Sequence, residues 1–174
     1  MPAICVLAKN YSHMKKFAFL LGIGLLLFGS SKAQEIPFIK KEQISLWQSS
    51  ITDTIYVINF WATWCKPCLE ELPSFEKITR NYPNSFVKVI LVSNDFKKQI
   101  DTKLVPFLKH AKIKSQVVFM DETNPNTWIE MVDPNWSGAI PATLIFKGST
   151  GQRFFKEGTL SYDQLNTEIT KLLR

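Results

Sequence analysis

Residues 59–73 read NFWATWCKPCLEELP, and the expectations for fold and function start from this stretch. Cys65 and Cys68 lie three residues apart in it, directly after an apolar run and directly before a segment with helical character. A thiol at a helix N-terminus faces unpaired backbone N–H groups and the positive end of the helix dipole, and both lower its pKa. Its partner is near enough in sequence to form a disulfide within one turn. The pair predicts a dithiol that exchanges disulfides.

Two other interpretations of the cysteine pair are weaker. A zinc site needs about four ligands, and the chain has three Cys and two His. Cys5 and His13 lie in the N-terminal segment, so a site at Cys65 and Cys68 would have only His110 to add unless a carboxylate joined. A purely structural disulfide of this span closes too small a loop to restrict the unfolded chain much. A redox pair is therefore the favoured interpretation.

The N-terminal segment has the pattern of an export signal. Lys15 and Lys16 precede a run of twelve largely apolar residues at 17–28, and small residues follow. Ser31 and Ala33 occupy the −3 and −1 positions of a cleavage site after Ala33. The apolar run is shorter than the roughly 20 residues that a membrane-spanning helix needs.

We expect residues 1–33 to be a signal peptide that is cleaved, with a retained membrane anchor as the less favoured alternative. The protein would then be exported, to the periplasm or the outer face of the cytoplasmic membrane. Translation could instead start at Met14, since the residues before it lack signal-peptide character. Without the four lysines of the leader the chain has 17 basic and 15 acidic residues, a net charge of +2. The basic pI of the full sequence comes largely from the leader, so it gives no support for nucleic-acid binding.

The remaining residues, 34–174, predict one α/β domain with a mixed central β-sheet flanked by helices. Short apolar runs predict strands at 55–61, 86–92 and 116–120, and a turn-rich link predicts a hairpin of 142–146 with 152–156. Periodic apolar residues and a capping box predict helices at 65–80, around 100–108, and after Ser161. A short strand and helix are expected within 36–48.

An insert at about 121–139 is long for a connection in a compact domain. Residues 127–130 (TWIE) match a capping box, which predicts that the insert contains a short helix. The insert also contains Trp128 and Trp136. They could pack on the core, which is the favoured interpretation, or form a lip beside the active site that meets the substrate.

The motif FWATWCKPC at 60–68, together with IPAT at 140–143, resembles the thioredoxin superfamily. Glu71 and Pro73 after the cysteines, and the signal-like leader, resemble its exported TlpA/ResA-type branch. The resemblance implies a thioredoxin-like fold and an enzyme that exchanges protein disulfides, most often as a reductase. It implies no cofactor beyond a redox-active Cys65–Cys68 disulfide, and no metal.

By this resemblance Cys65 is the exposed nucleophile and Cys68 the more buried resolving thiol. Glu71 matches a glutamate that this branch keeps near its cysteines. It lies at i+3 from Cys68, so the two are neighbours on a helix surface and the carboxylate could shuttle a proton. Asn59 is a departure, because thioredoxin itself has a buried aspartate at this position. An amide cannot ionise, so Glu71 is the expected substitute.

Three further residues are implied as substrate-binding. Pro141 matches the family's cis-proline, which faces the cysteines and lets the backbone of Ile140 pair with a substrate strand. Trp64 is expected on the exposed rim around Cys65. The tryptophan and phenylalanine before it, Trp61 and Phe60, are expected in the core or in the packing of a sub-site.

The resemblance also implies partners. Substrates would be disulfide-containing exported proteins such as apocytochrome c, and electrons would come from a membrane-embedded thiol donor. The membrane itself is a partner only if the leader is retained. Two alternative functions use the same thiols: a copper metallochaperone, and a thiol peroxidase. The peroxidase needs a threonine and an arginine near the nucleophile, and the loop before Cys65 supplies only Thr63.

Overall fold

Strands and helices alternate along the part of the chain that the structure, a computed structural model, describes: residues 36–83 and 86–174. The leader predicted at 1–33 lies outside these residues. In chain order the strands and α-helices are β1 (Phe38–Ile39), α1 (Lys41–Gln48), β2 (Ile55–Trp61), α2 (Lys66–Asn81), β3 (Val87–Ser93), α3 (Val105–Ala111), β4 (Gln116–Met120), α4 (Ile129–Val132), β5 (Ala142–Lys147), β6 (Gln152–Glu157) and α5 (Tyr162–Leu173). Short 3₁₀ turns lie at Lys97–Gln99 and Pro125–Thr127, and a π-helical turn at Ile100–Leu104 leads into α3.

The six strands form one mixed sheet in the order β1-β4-β3-β2-β5-β6. Strands β1, β4, β3 and β2 run parallel to one another, while β5 is antiparallel to both β2 and β6. Strand β2 is central, and its carboxyl end leads directly into the cysteine motif. In an α/β sheet, ligands and substrates meet the protein at this edge.

Alternate residues of β2 pack on opposite faces of the sheet, as strand geometry requires. Val57 and Trp61 join a buried cluster that includes Phe75 of α2 and the apolar stripe of α5. Ile58 and Phe60 join a second cluster on the other face. Both faces are covered, which is why β2 reads as a nearly continuous apolar run. Trp61 and Phe60 are fully buried, as predicted.

The insert between β4 and β5 covers the second face of the sheet. Trp128 and Trp136 are buried, and their rings lie 5.7 Å and 4.7 Å from that of Phe60. The interpretation in which these tryptophans pack on the core is therefore confirmed. The indole N–H of Trp136 also donates to the carbonyl of Ala139 at 2.8 Å, next to Ile140. The insert thus helps to hold the chain that enters the site.

The capping box predicted at Thr127 is wrong, although a short helix does follow. Helix α4 begins at Ile129, and its N-cap Trp128 makes no side-chain cap. The Thr127 hydroxyl instead donates to the carbonyl of Asn124 at 2.8 Å, within the preceding 3₁₀ turn. By contrast, the capping box of α5 forms as predicted, with Ser161 as its N-cap.

No helix in the described ranges is long and apolar enough to cross a membrane.

Candidate active site

The Cys65–Cys68 pair lies where β2 ends and α2 begins. Cys65 is the N-cap of α2, and the two sulfur atoms form a disulfide with an S–S distance of 2.05 Å. Cys65 keeps 6% of its surface exposed, whereas Cys68 has 0% exposed. Of the two cysteines, only Cys65 can be reached from solvent. This difference in exposure is the one that the predicted roles of Cys65 as nucleophile and Cys68 as resolving thiol require.

The start of α2 favours a thiolate at Cys65. The backbone N–H of Cys68 donates to the sulfur of Cys65 at 3.3 Å, so the sulfur takes the place of an N-cap oxygen. No acidic residue lies in the first turn of α2. A negative sulfur at this position is stabilised by the N–H groups and by the helix dipole together. Lys66 adds little, because its side chain is 88% exposed and its charge is screened.

The residues predicted to bind substrate at 140–141 lie against Cys65. The Ile140–Pro141 peptide bond is cis, as predicted. The carbonyl oxygen of Ile140 is 3.7 Å from the sulfur of Cys65, and the Ile140 side chain is half-buried. A backbone segment is thus placed directly beside the sulfur that a substrate must approach.

Glu71 is buried one turn after Cys68, with only 4% of its surface exposed. Its carboxylate accepts hydrogen bonds from Asn59 Nδ2 and from the backbone N–H of Leu160, both at 2.8 Å. Burial raises the pKa of Glu71 from 4.5 to about 7, and the two hydrogen bonds limit that rise. At neutral pH the group can therefore both accept and release a proton.

Asn59 ties Glu71 to the neighbouring strand. Its Nδ2 lies 3.1 Å from the hydroxyl of Thr143 and 3.5 Å from the carbonyl of Ala142, in addition to the bond to Glu71. Its Oδ1 is buried and has no hydrogen-bond partner among the described residues. The Asn59 amide cannot ionise. Of these two hydrogen-bonded side chains, only Glu71 can exchange a proton.

Trp64, which directly precedes Cys65, is exposed. Its side chain is 56% exposed, and its ring stacks on Phe96 with centroids 6.3 Å apart. Phe96 is also 56% exposed, so the pair forms an apolar surface beside Cys65. Phe96 was not predicted as a site residue. The only feature of the sequence that points to Phe96 is its place directly after three polar residues, Ser93, Asn94 and Asp95.

Asp95 is a second residue that the sequence analysis missed. It is buried, and its carboxylate accepts hydrogen bonds from the backbone N–H and the hydroxyl of Thr63, two residues before Cys65. A signal existed: Ser93, Asn94 and Asp95 directly follow the predicted strand at 86–92. If that strand is parallel to β2, its carboxyl end must lie beside the cysteine motif.

His110, the remaining candidate for a metal ligand, is exposed near the end of α3. Across residues 36–83 and 86–174, no group of three His, Cys, Asp or Glu side chains is arranged to hold a metal ion. The described site brings together a disulfide, a buried carboxylic acid and an exposed aromatic surface.

Comparison with known proteins decides the family, because the sequence profile of the AhpC/TSA family matches residues 32–150. The chain belongs to the AhpC/TSA family. It is 36% identical over 64 residues to the thioredoxin-like protein YneN of Bacillus subtilis, covering 35% of this chain and 38% of that protein. It is 33% identical over 109 residues to the thiol-disulfide oxidoreductase ResA of Oceanobacillus iheyensis, covering 63% and 52%.

Among solved structures, a thioredoxin-related protein from Neisseria meningitidis serogroup B matches with a TM-score of 0.61. It is 22% identical and the match covers 72% of this chain and 89% of that one, which shows the fold. The predicted thioredoxin-like fold and the resemblance to ResA-type proteins are thus confirmed. The curated relatives named above are matched over 38% and 52% of their own length.

Proposed function

We propose that this protein is an exported thiol–disulfide oxidoreductase that reduces disulfides in other proteins. The observation that carries the proposal is the Cys65–Cys68 disulfide at the N-terminus of α2, with Ile140 beside its more exposed sulfur. The names of relatives such as ResA support the reaction type. Export is supported by the leader pattern at 1–33, which we take to precede a thioredoxin-like domain at 34–174.

The first step is attack of the Cys65 thiolate on a substrate disulfide. A bond forms between Cys65 Sγ and one substrate sulfur, and the substrate S–S bond breaks. The released substrate thiolate takes a proton from solvent. The carbonyl of Ile140 lies 3.7 Å from the sulfur of Cys65, and the residue before Cys65, Trp64, is exposed. We therefore assign the substrate-binding role to Trp64, Ile140 and Pro141.

The second step is attack of Cys68 on Cys65. Cys68 must first lose its proton, and it has no contact with solvent. We assign the proton acceptor to Glu71, which is buried with it and has a pKa of about 7. The Cys65–Cys68 bond forms and the mixed disulfide breaks. The leaving substrate thiolate takes a proton from solvent, so the substrate leaves as a dithiol, and Glu71 then releases to solvent the proton that it took from Cys68.

Each turnover leaves the protein oxidised by two electrons. To act again it needs a dithiol donor that supplies two electrons and two protons and becomes a disulfide itself. We propose a membrane-embedded thiol donor for this role, and disulfide-containing exported proteins such as apocytochrome c as substrates. Both assignments rest on the leader and on the resemblance to the TlpA/ResA-type branch.

The direction of the reaction is tested by the reduction potential of the Cys65–Cys68 pair, measured by equilibration in defined thiol–disulfide buffers. A value near that of thioredoxin, roughly −270 mV, is expected for a reductase. A value near that of a strong oxidant, roughly −120 mV, would mean that the protein installs disulfides. The reaction type is tested by insulin reduction with dithiothreitol as the donor. The Cys65→Ala variant should lose the activity, and a variant that kept it would overturn the mechanism.

A further inference from the structure

The cysteine motif is presented on a tight turn. The backbone N–H of Cys65 donates to the carbonyl of Ala62 at 3.1 Å, which closes the turn over residues 62–65. Thr63 and Trp64 are its two central residues. The position of this turn therefore sets where both the Trp64 ring and the Cys65 sulfur stand.

Asp95, in the segment that follows β3, holds this turn. Its two carboxylate oxygens lie 3.1 Å and 3.2 Å from the backbone nitrogen of Thr63, and the Thr63 hydroxyl donates to the carboxylate at 2.5 Å. The hydroxyl of Ser93 donates to the second oxygen at 2.8 Å. Hydrogen bonds to an ionised acceptor are stronger than neutral ones, and loss of a buried acceptor leaves its donors unpaired.

The two segments, one leaving β2 and the other leaving β3, stay in contact beyond the ends of the strands. Trp61 of β2 pairs with Ser93 of β3 in the sheet, and the next residue, Asn94, donates its N–H to the carbonyl of Trp61 at 2.8 Å. Asp95 then binds the turn, and Phe96 after it stacks on the Trp64 ring. The segment that leaves β3 thus follows the cysteine turn along its length.

From this geometry we propose that Asp95 is a positioning residue: acting through Thr63, it fixes the turn that aims Cys65 and Trp64 at a bound disulfide. The inference rests on the proposed function, because its effect is on the reaction of Cys65 with a substrate. Asp95 takes no part in the chemistry. It lies beneath the turn, and its carboxylate contacts Thr63 and Ser93.

Two variants test the proposal by different routes. Asp95→Ala removes the whole acceptor, while Thr63→Val removes only the hydroxyl donor and leaves the backbone bond. A misplaced nucleophile costs roughly 10- to 100-fold in rate. We expect a fall of this size in kcat/KM for a disulfide-containing peptide with Asp95→Ala, and a smaller fall with Thr63→Val. Thr63→Ser, which keeps the hydroxyl, should restore the rate. The double variant should be no slower than Asp95→Ala, since both remove the same contact.

Thr79→Val is the matched control. It removes a 2.6 Å hydroxyl contact to Ser115, in part of the domain away from the cysteine turn. All variants are compared at a temperature where circular dichroism shows them folded. If Asp95→Ala does not fold, the Thr63→Val and Thr63→Ser pair decides the matter. The control should lose stability and keep its rate.

The proposal is overturned if the wild-type protein reduces the peptide and the Thr63→Val variant reduces it as fast as the Thr79→Val control does. It is also overturned if Thr63→Ser is as slow as Thr63→Val. If the wild-type protein itself reduces no disulfide, the failure lies with the proposed function, so the two outcomes are distinguishable.

Discussion

Replacing Glu71 by Gln should remove a pH-dependent loss of stability from the oxidised protein. The pKa of Glu71 is raised by burial from 4.5 to about 7 in the folded state. Between these two values the folded protein binds more protons than the unfolded chain, so the free energy of unfolding falls as pH rises. The stabilisation is fully present below about pH 4.5 and is lost by about pH 7. The difference between the two pKa values corresponds to about 3 kcal/mol.

The Gln variant can still be accommodated in the buried site. Its amide oxygen can accept the N–H of Leu160 in place of the carboxylate. Its new NH₂ group can donate to Asn59 Oδ1, which has no partner among the described residues, if the Asn59 amide turns over. Turning over costs the contact of Asn59 Nδ2 with the carbonyl of Ala142, although the Thr143 hydroxyl can donate to the turned Oδ1, so the variant can be less stable at low pH. The change of the difference with pH is therefore the quantity to measure.

The difference in free energy of unfolding between the oxidised wild type and the Glu71→Gln variant is measured by urea denaturation from about pH 4 to about pH 8. We expect the stability of the variant relative to wild type to increase by about 3 kcal/mol over this range. Glu70→Gln is the matched control, because the Glu70 side chain is 65% exposed and lies next in sequence. A difference between wild type and Glu71→Gln that stays constant with pH would refute the reasoning, since Glu71 would then titrate alike in the folded and unfolded chains.

Two further predictions concern the cysteines and Asn59. Cys68→Ser should stop the reaction at the mixed disulfide, so that reduced variant and substrate accumulate as a covalent complex on non-reducing gels. Complex that is also trapped by Cys65→Ala would contradict the assigned order of attack. Asn59→Asp would put a second carboxylate about 2.8 Å from Glu71, and two such groups cannot both ionise. Its loss of stability should therefore be larger at pH 8 than at pH 5 in urea denaturation, and a loss that does not depend on pH would argue against a close carboxylate pair.

The features that the sequence predicted well depend on local patterns. The strand at Ile55–Trp61 has the predicted bounds because a run that is buried on both faces must be apolar throughout. Helix α2 begins after Cys65 because the motif places a thiol at the N-cap and a proline in the first turn. Such patterns involve residues a few positions apart, so no knowledge of the sheet is needed to interpret them.

The features that were missed depend on contacts between distant segments. Asp95 and Thr63 are 32 residues apart and meet only because β3 lies beside β2 in the sheet. The capping box at Thr127 failed for a related reason. A hydroxyl there has two possible partners, and the carbonyl of Asn124 becomes available once Pro125–Thr127 adopts a 3₁₀ turn. The pattern alone does not distinguish between the two partners.

Glu71 combines both kinds of information. Its spacing from Cys68 predicts a carboxylate near the thiols, but its pKa depends on groups from three elements that the sequence does not connect. Burial against the core raises the pKa, while the N–H of Leu160, just before α5, and the amide of Asn59, on β2, lower it. A value of about 7 is the balance of these effects. Loss of either donor would raise the pKa and leave the acid protonated at neutral pH, whereas exposure to water would lower it and leave a base too weak to accept a thiol proton. The buried position of Glu71 and its two donors are therefore needed together to keep its pKa near neutral, as the proposed proton exchange with Cys68 requires.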